Sequence, residues 1–586
     1  MVSAKDRTHS TSISMKLFNF ISDFTKKPKA VFWFFIILNM IPNCFLIFTE
    51  PLSGLGRIIL ILAPLGVYLI VFSLLKKAGL IQLILIPLLI FHAFQMVLFY
   101  LFGESVIAVD MFLNLPTTNA SEAGELLNSL WPAIILVCVL YIPTIVLASM
   151  SVHYKVIYPA AFRRHMIIGG AALLVLTSGG IVFEKSRDNS YEIKTDIYPA
   201  NIFYNLGYAV HKWHRSELYP KTSKDFTFHA TRDSLVSEKR EIYILVIGEA
   251  SRAKNWSLWG YERETNPRLK TTENLILYKD ALTQSNTTHK SVPLILSAAD
   301  AEHYEALYTQ KSIITAFKEV GFKTVFFSNQ IPNRSFTDYF ASEADIYKTI
   351  RLPLEGGLIT ENNYDQALIP LIKQCIDSLS DNLFIVLHTY GSHFNYRERY
   401  PAEFAVYSPD NTSGIEYKYK QQLINAYDNS IRYTDGFLAD IIQLLNENQA
   451  ESALLYSPDH GEDLLDDCRK KFLHASPIPT IYQIHIPFFL WFSESYKTLK
   501  PEHYSQALAH ADAPVSTNAI FHTLLDLADI RTAYFRPDLS LVNPGFKRRP
   551  RMYLNDHDKP VNYYLVGMKK QDKDYIQKMK LNHDIK

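Results

Sequence analysis

Two groups in this chain stand where chemistry is done: a carboxylate at the end of a strand and a hydroxyl at the start of a helix. The apolar run Ile242 to Ile247 reads as a buried strand that delivers Gly248 and Glu249 to its carboxyl end, the edge at which open α/β sheets collect their ligands. Glu249 is therefore a metal-ligand candidate, with a simple cap as the bland alternative. Further on, Ser285-Asn286-Thr287-Thr288-His289-Lys290-Ser291-Val292-Pro293 is a polar turn running into the apolar Leu294 to Leu296, the pattern of a loop entering a helix. A Thr hydroxyl there sits in the positive field of a helix N-terminus, which favours an oxyanion and a bound phosphate.

More polar groups follow later strand-like runs. His388 and Gly391-Ser392-His393 come after Leu383 to Leu387, Asp459-His460-Gly461-Glu462 come after Ala453 to Tyr456, and His474 lies in Phe472-Leu473-His474. A single His is ordinarily structural. As a set, Glu249, Asp459, His393, His460 and His474 form an oxygen and nitrogen inventory suited to zinc, with manganese as the alternative. Magnesium or calcium would not need the histidines. A cation beside Thr288 also explains how a hydroxyl that is protonated at neutral pH could become a nucleophile, and how the charge on an attacked phosphodiester could be neutralised.

The elements that must position these groups divide unevenly along the chain. At 586 residues two or more domains are expected. The 59 Lys plus Arg nearly cancel the 58 Asp plus Glu, so no global charge argues for a nucleic-acid partner. Five apolar stretches are long enough for the ~20 residues of helix that a bilayer core requires: Ala30 to Phe48, Ile58 to Leu75, Leu80 to Phe102, Trp131 to Met150 and Met166 to Phe183. Lys5, Arg7, Lys16, Lys26, Lys27 and Lys29 precede the first, Lys76 and Lys77 follow the second, and Lys155, Arg163 and Arg164 follow the fourth, whereas Gly103 to Leu130 has neither Lys nor Arg. The positive-inside rule then places the N-terminus in the cytoplasm and, after an odd number of spans, everything beyond residue 185 outside. No cleavable signal peptide is expected. The organisation expected is a membrane domain over 1–185, a linker over 186–240 with an amphipathic surface piece at Tyr198 to Trp213, and an α/β domain with a largely parallel sheet over 241–586. Between the third and fourth stretches, Asn114, Thr118 and Glu122 are spaced to share one helix face, which from spacing alone reads as the polar side of an interfacial helix. Of four cysteines, only Cys375 and Cys468 lie outside the apolar region. At most one disulfide could form there.

Taken in order, Val246-Ile247-Gly248-Glu249-Ala250-Ser251-Arg252, Gly260 to Pro267, Thr288 before Ser291-Val292-Pro293, Gly391-Ser392-His393, Tyr427-Asp428-Asn429, Ser457 to Glu462 and Leu473-His474 resemble the membrane-bound phosphoethanolamine transferases. That family modifies lipopolysaccharide, includes the polymyxin-resistance enzymes of the bacterial inner membrane, and joins five transmembrane helices to a periplasmic sulfatase or alkaline-phosphatase-like domain. The resemblance runs over nearly the whole chain. It implies transfer of phosphoethanolamine from phosphatidylethanolamine to lipid A or core oligosaccharide through a phosphoethanolamine ester on Thr288. It further implies one or two Zn2+ ions, the main one held by Glu249, Thr288, Asp459 and His460, with His393 and His474 as a second-metal or phosphate-binding pair. Under the resemblance Asn114, Thr118 and Glu122 become a lipid-substrate loop. The family's basic phosphate-binding residue has no clear counterpart, and Asn329 and Arg334 are the candidates. Ala250 stands where the family often has Thr, and two cysteines cannot reproduce its several disulfides. A phosphoglycerol transferase of the lipoteichoic-acid-synthase type is the rival enzymatic reading. A non-catalytic membrane scaffold is the rival from another class, disfavoured because no ligand is missing.

Overall fold

Six consecutive apolar residues, Ile242 to Ile247, cannot alternate between a core face and a solvent face, so the strand they form has to be covered on both sides. In the computed structural model of the chain they are the middle of β1 (Glu241–Gly248), which is buried along its whole length. The structure describes residues 21–103, 105–117, 124, 130–189, 191–232, 239–351, 363–411 and 414–581. These form two compact units, Met1–Ala108 with Leu130–Tyr208, and Val109–Ser129 with Ala209–Lys586.

In the second unit β1 is the middle strand of a seven-stranded sheet. Its partners are β2 (Leu275–Leu277), β3 (Lys323–Ser328), β4 (Ile346–Thr349), β5 (Leu383–His388), β6 (Glu451–Pro458) and β7 (Phe489–Phe492). The order is β2-β7-β6-β1-β5-β3-β4. β1 runs parallel to both neighbours, with Ile247 opposite His388 of β5 and Gly248 opposite Pro458 of β6. β7 is antiparallel to β2 and β6, so the sheet is largely parallel, as the alternation of strand and helix patterns predicts. β7 starts at Phe489 although the apolar run Ile486 to Trp491 begins three residues earlier, because Pro487 has no amide to give a ladder and Ile486 donates instead to the Ala281 carbonyl.

The first unit is helical. α1 (Pro28–Thr49), α2 (Gly54–Leu74), α6 (Trp131–His153) and α7 (Ala160–Arg187) are, among the described residues, the four helices long and apolar enough to cross a membrane. The third apolar stretch is broken at Leu85 into α3 (Leu80–Ile84) and α4 (Ile86–Phe102). Pro87 accounts for the break, since it fits the first turn of a helix and clashes within one. Gly66 of α2 and Gly170 of α7 bring their helices into backbone contact, a Cβ on Gly170 falling 2.7 Å from the Gly66 carbonyl oxygen, the small-residue packing that apolar helices use where no hydrophobic driving force separates them from lipid. Polar groups inside the unit bond one another: Asn39 to Gln82 at 2.9 Å, and His92 Nδ1 to the Tyr198 hydroxyl at 2.6 Å. The segment between α4 and α6 forms α5 (Val109–Thr117), which carries Asn114. Thr118 and Glu122 lie outside the described residues. The amphipathic piece is α8 (Ala200–Glu217). Cys375 is a buried thiol and Cys468 an exposed one, and both are free.

The loop after β5 is drawn tight against the end of β1. Ser392 donates its amide to the Glu249 carbonyl at 3.0 Å. Gly391 has φ +45°, and a Cβ there would stand 2.8 Å from the Glu249 carbonyl oxygen and 2.9 Å from its amide nitrogen. Gly391→Ala is therefore expected to cost roughly 1–3 kcal/mol through strain at this one turn, read as a lowered unfolding midpoint of the second unit. An unchanged midpoint would show that the contact is slack.

Candidate active site

Because Gly248 and Pro458 are paired across adjacent parallel strands, Glu249 and Asp459 leave the sheet side by side at its carboxyl edge. Asp459 donates its amide to the Gly248 carbonyl, and both side chains are buried, Glu249 being 1% and Asp459 0% exposed. The turn after Glu249 is braced from α10 (Lys420–Asn448). There the Tyr427 hydroxyl donates to the Ala250 carbonyl at 2.7 Å and accepts from the Arg252 amide at 2.9 Å. Asp428 in turn accepts from Asn255, Tyr261 and Arg263. Tyr427 and Asp428 of the Tyr427-Asp428-Asn429 motif are thus scaffold for the loop that begins at Glu249, while Asn429 holds the amides of Val406 and Tyr407.

The hydroxyl arrives from another direction. Thr287, extended at φ −134°, is the residue before α9 (Thr288–Leu296), and Thr288 is the first residue of that helix. Its Oγ1 lies 3.4 Å from Glu249 Oε2 and 3.2 Å from His460 Nε2. His460 Nδ1 is 2.9 Å from the Gly461 carbonyl oxygen, a partner that can only accept, so Nδ1 carries the proton and Nε2 offers its lone pair toward Thr288. Asp459 Oδ1 accepts from the amides of Ala250 at 3.1 Å and His460 at 2.8 Å. Asp459 Oδ2 is buried, accepts no hydrogen bond among the described residues, and sits 3.2 Å from His460 Nε2.

This is an arrangement of donors to a cation. Burial pushes the Asp459 carboxyl up and holds His460 well below the usual imidazole range, with the His474 ring adding to the latter. A neutral imidazole nitrogen and an unshared carboxylate oxygen facing one another fit a divalent ion between them. One ligand atom from each of Glu249, Asp459 and His460 can be chosen so that all lie within 4.8 Å of one another, and Thr288 Oγ1 is beside them. A second set with the same closeness is His460, Glu462 and His474. His474 Nδ1 is 3.0 Å from Glu462 Oε2, whose other oxygen accepts from the Tyr396 hydroxyl at 3.0 Å. The His474 ring lies 4.0 Å from the His460 ring between centroids, tilted by 33°, and 6.2 Å from the His393 ring. Burial also lowers His393, followed by the nearby His474.

The structure thus gathers Glu249, Thr288, Asp459, His460, His474 and His393. It adds two residues that the sequence reading left without a role. Glu462 completes the second set and was visible only as the last residue of Asp459-His460-Gly461-Glu462. Gln330 donates to Glu249 Oε2 at 3.3 Å and to the Thr389 carbonyl at 2.9 Å, one residue past the candidate Asn329. Asn329 itself is turned away, donating to Asp365 at 2.8 Å and to the Asn363 carbonyl, while Asp365 holds the amides of Tyr390 and Gly391. Its place is beneath the loop that carries His393. Arg334 is exposed, with Asp338 bonded to its amide. It lines a cavity of about 460 Å³ together with Lys212, Trp213, His289, Tyr304 and Phe336. Asn114 is half-buried on α5.

Comparison with known proteins agrees with the geometry. Residues 65–213 match the family model described as phosphoethanolamine transferase EptA/EptB, and residues 241–530 match the sulfatase model. Phosphoethanolamine transferase EptA of Escherichia coli strain K12 is 30% identical over 423 residues, which cover 67% of this chain and 73% of that protein. The Kdo(2)-lipid A phosphoethanolamine 7''-transferase of the same strain is 28% identical over 279 residues, 47% of either chain. Among solved structures, the zinc complex of the C-terminal periplasmic domain of EptC from Escherichia coli superposes with a TM-score of 0.52 at 27% identity, covering 58% of this chain and 96% of that one. Helices and catalytic sheet are thus matched in turn along one chain, and that chain belongs to the phosphoethanolamine transferases with a sulfatase-like, alkaline-phosphatase-type catalytic domain.

Proposed function

We propose that the chain takes phosphoethanolamine from phosphatidylethanolamine, holds it as an ester on Thr288, and passes it to an oxygen of lipid A or core oligosaccharide. The observation that carries this reading is the Thr288 hydroxyl at the start of α9, 3.2 Å from His460 Nε2 and 3.4 Å from Glu249 Oε2. The donor set of Glu249, Thr288, Asp459 and His460 would hold zinc, and His393 and His474, with Glu462, would hold either a second ion or the phosphate of the donor. When bound, zinc supplies a lowered pKa for the Thr hydroxyl and positive charge for the phosphate oxygens.

The protein's own part is placement and proton management. His460, kept neutral by burial, leaves Nε2 unprotonated beside Thr288. As its hydroxyl gives up a proton, the Thr288 oxygen attacks phosphorus in line, the bond from phosphorus to the glycerol oxygen breaks, and diacylglycerol leaves with one proton taken up on that oxygen, so that the proton lost by Thr288 is balanced. The positive end of α9 faces the phosphoryl oxygens. An acceptor oxygen then attacks the same phosphorus, and the bond to Thr288 breaks. Asn114, with Thr118 and Glu122, forms the lipid-substrate segment, and Arg334 meets phosphate from the cavity it lines. Lipid A as acceptor is supported by the likeness to the Kdo(2)-lipid A phosphoethanolamine 7''-transferase. In membrane terms, α3 and α4 together make the third of five spans, the N-terminus is cytoplasmic, and the catalytic domain lies in the periplasm. Residues 1–185, 186–240 and 241–586 serve as anchor, linker and enzyme.

Mass spectrometry of lipid A and core oligosaccharide tests the function. Cells expressing the wild-type chain should gain species heavier by one phosphoethanolamine, cells expressing Thr288→Ala should gain none, and Thr288→Ser should give an intermediate level, because Ser keeps the hydroxyl and loses the methyl group that restricts its rotamer. Equal modification by wild type and Thr288→Ala would contradict the assignment of Thr288.

Metal content tests the site independently of turnover. Protein with Glu249→Gln or Asp459→Asn should bind zinc at least about tenfold more weakly, measured by competition with a chromogenic chelator. Its unfolding midpoint without zinc should not fall below that of metal-free wild type, since either change removes a negative charge from two carboxylates buried side by side. Undiminished zinc affinity in both variants would remove the two carboxylates from the ligand set.

A further inference from the structure

Behind the first turn of α9 lies a set of buried charges for which the reaction described above has no use. Lys290, two residues after Thr288, has a fully buried side chain, with Nζ 2.7 Å from Asp110, 3.1 Å from Asp558 and 3.0 Å from the Asn555 carbonyl oxygen. Asp110, on the first turn of α5, also meets His289 Nε2 at 3.2 Å and has Lys212 at 4.0 Å. Lys212 pairs with Asp558 at 2.7 Å. Asp556 accepts the amides of Val109 at 2.8 Å and Asp110 at 3.0 Å, two of the donors that a helix start leaves without an internal partner. Asp556 and Asp558 come from the turn of a two-stranded hairpin, β8 (Met552–Leu554) and β9 (Pro560–Asn562). The same hairpin is bonded to the nucleophile segment, through Leu554 to the Gln284 carbonyl and through the Tyr553 hydroxyl to Asn286.

Burying four charges and half-burying a fifth, Asp556, is a poor way to stabilise a protein, because desolvation consumes most of what pairing returns. What such a network does supply is register: Lys290 with an oxygen on each side can sit in one place only, and that place joins α5, α9 and the hairpin. Asn114 is one helical turn beyond Asp110, on the same side of α5. We propose that Asp110, Asp556, Asp558 and Lys290 are positioning residues that lock α5, the lipid-substrate helix, in register with the nucleophile turn, so that a lipid donor lying along α5 presents its phosphate to Thr288 in one geometry. The proposal rests on the donor reading above.

The experiment uses the full-length protein in detergent and two donors. One is phosphatidylethanolamine in mixed micelles, and the other is p-nitrophenyl phosphoethanolamine, a soluble diester with no lipid portion to reach α5. Asp110→Asn should raise KM for the lipid donor about tenfold and leave kcat/KM for the soluble diester within about twofold. Asp110→Glu, which keeps the charge, should recover most of the loss. Asp556→Ala guards against a variant that merely fails to fold, since it takes the acceptor from Val109 and Asp110 and leaves both lysines paired. It should speed amide hydrogen exchange in 109–117 but not in 288–296, with the same lipid-selective loss. Equal losses on both donors, or no loss on either, overturn the positioning role alone. A wild-type protein inactive on both overturns the donor reading and this proposal with it.

Discussion

The arrangement everything else serves is the burial of two carboxylates, Glu249 and Asp459, side by side at the ends of paired strands. Water cannot solvate them there, and no lysine or arginine is bonded to Asp459 among the hydrogen bonds and ion pairs it makes with its described neighbours. Two acids so placed either take up protons or share a cation. The surrounding structure favours the second outcome. His460 is kept neutral with its free nitrogen turned inward, and the amides of Ala250 and His460 occupy one oxygen of Asp459 while leaving the other for a ligand.

That requirement propagates outward as rigidity. The turn after Glu249 is held on one side by Tyr427 and on the other by the Gly391-Ser392 loop, which approaches so closely that a methyl group would not fit. The loop before Thr288 is held just as firmly by elements that are distant in sequence. Asn286 bonds Ser476, Gln483 and Tyr553, and the Tyr563 hydroxyl bonds the Thr283 carbonyl. Under the proposed transfer, a hydroxyl that has to meet a phosphate in line cannot be carried on a loose loop, since a displacement of about 1 Å can cost about a hundredfold in rate.

Much of this is written locally in the chain. Strands that are apolar on both faces, such as Leu383 to Leu387, announce themselves, and the polar residues that follow them fall at one edge because parallel strands share their carboxyl ends. What cannot be read is any relation set by pairs far apart. Lys290 passes for one polar residue in a turn, and nothing nearby reveals that Asp110, 180 positions earlier, is its counterion, or that Asp556 caps a helix 447 positions before it. Gln330 is hidden for a related reason, since only packing decides that it and not its neighbour Asn329 faces Glu249, and Glu462 stands out only once folding brings His474 beside it. The break in the third apolar stretch was legible in principle, because Pro87 is a strong local signal that hydrophobicity alone outweighs.

The central claim is a covalent one, and it can be measured without any acceptor. Purified full-length protein given phosphatidylethanolamine alone should release diacylglycerol in an amount matching the enzyme, and the peptide that contains Thr288 should gain the mass of one phosphoethanolamine group, with fragmentation placing it on the Thr288 oxygen. Diacylglycerol that appears only when lipid A is added, with the Thr288 peptide unmodified throughout, would show direct transfer and contradict the account.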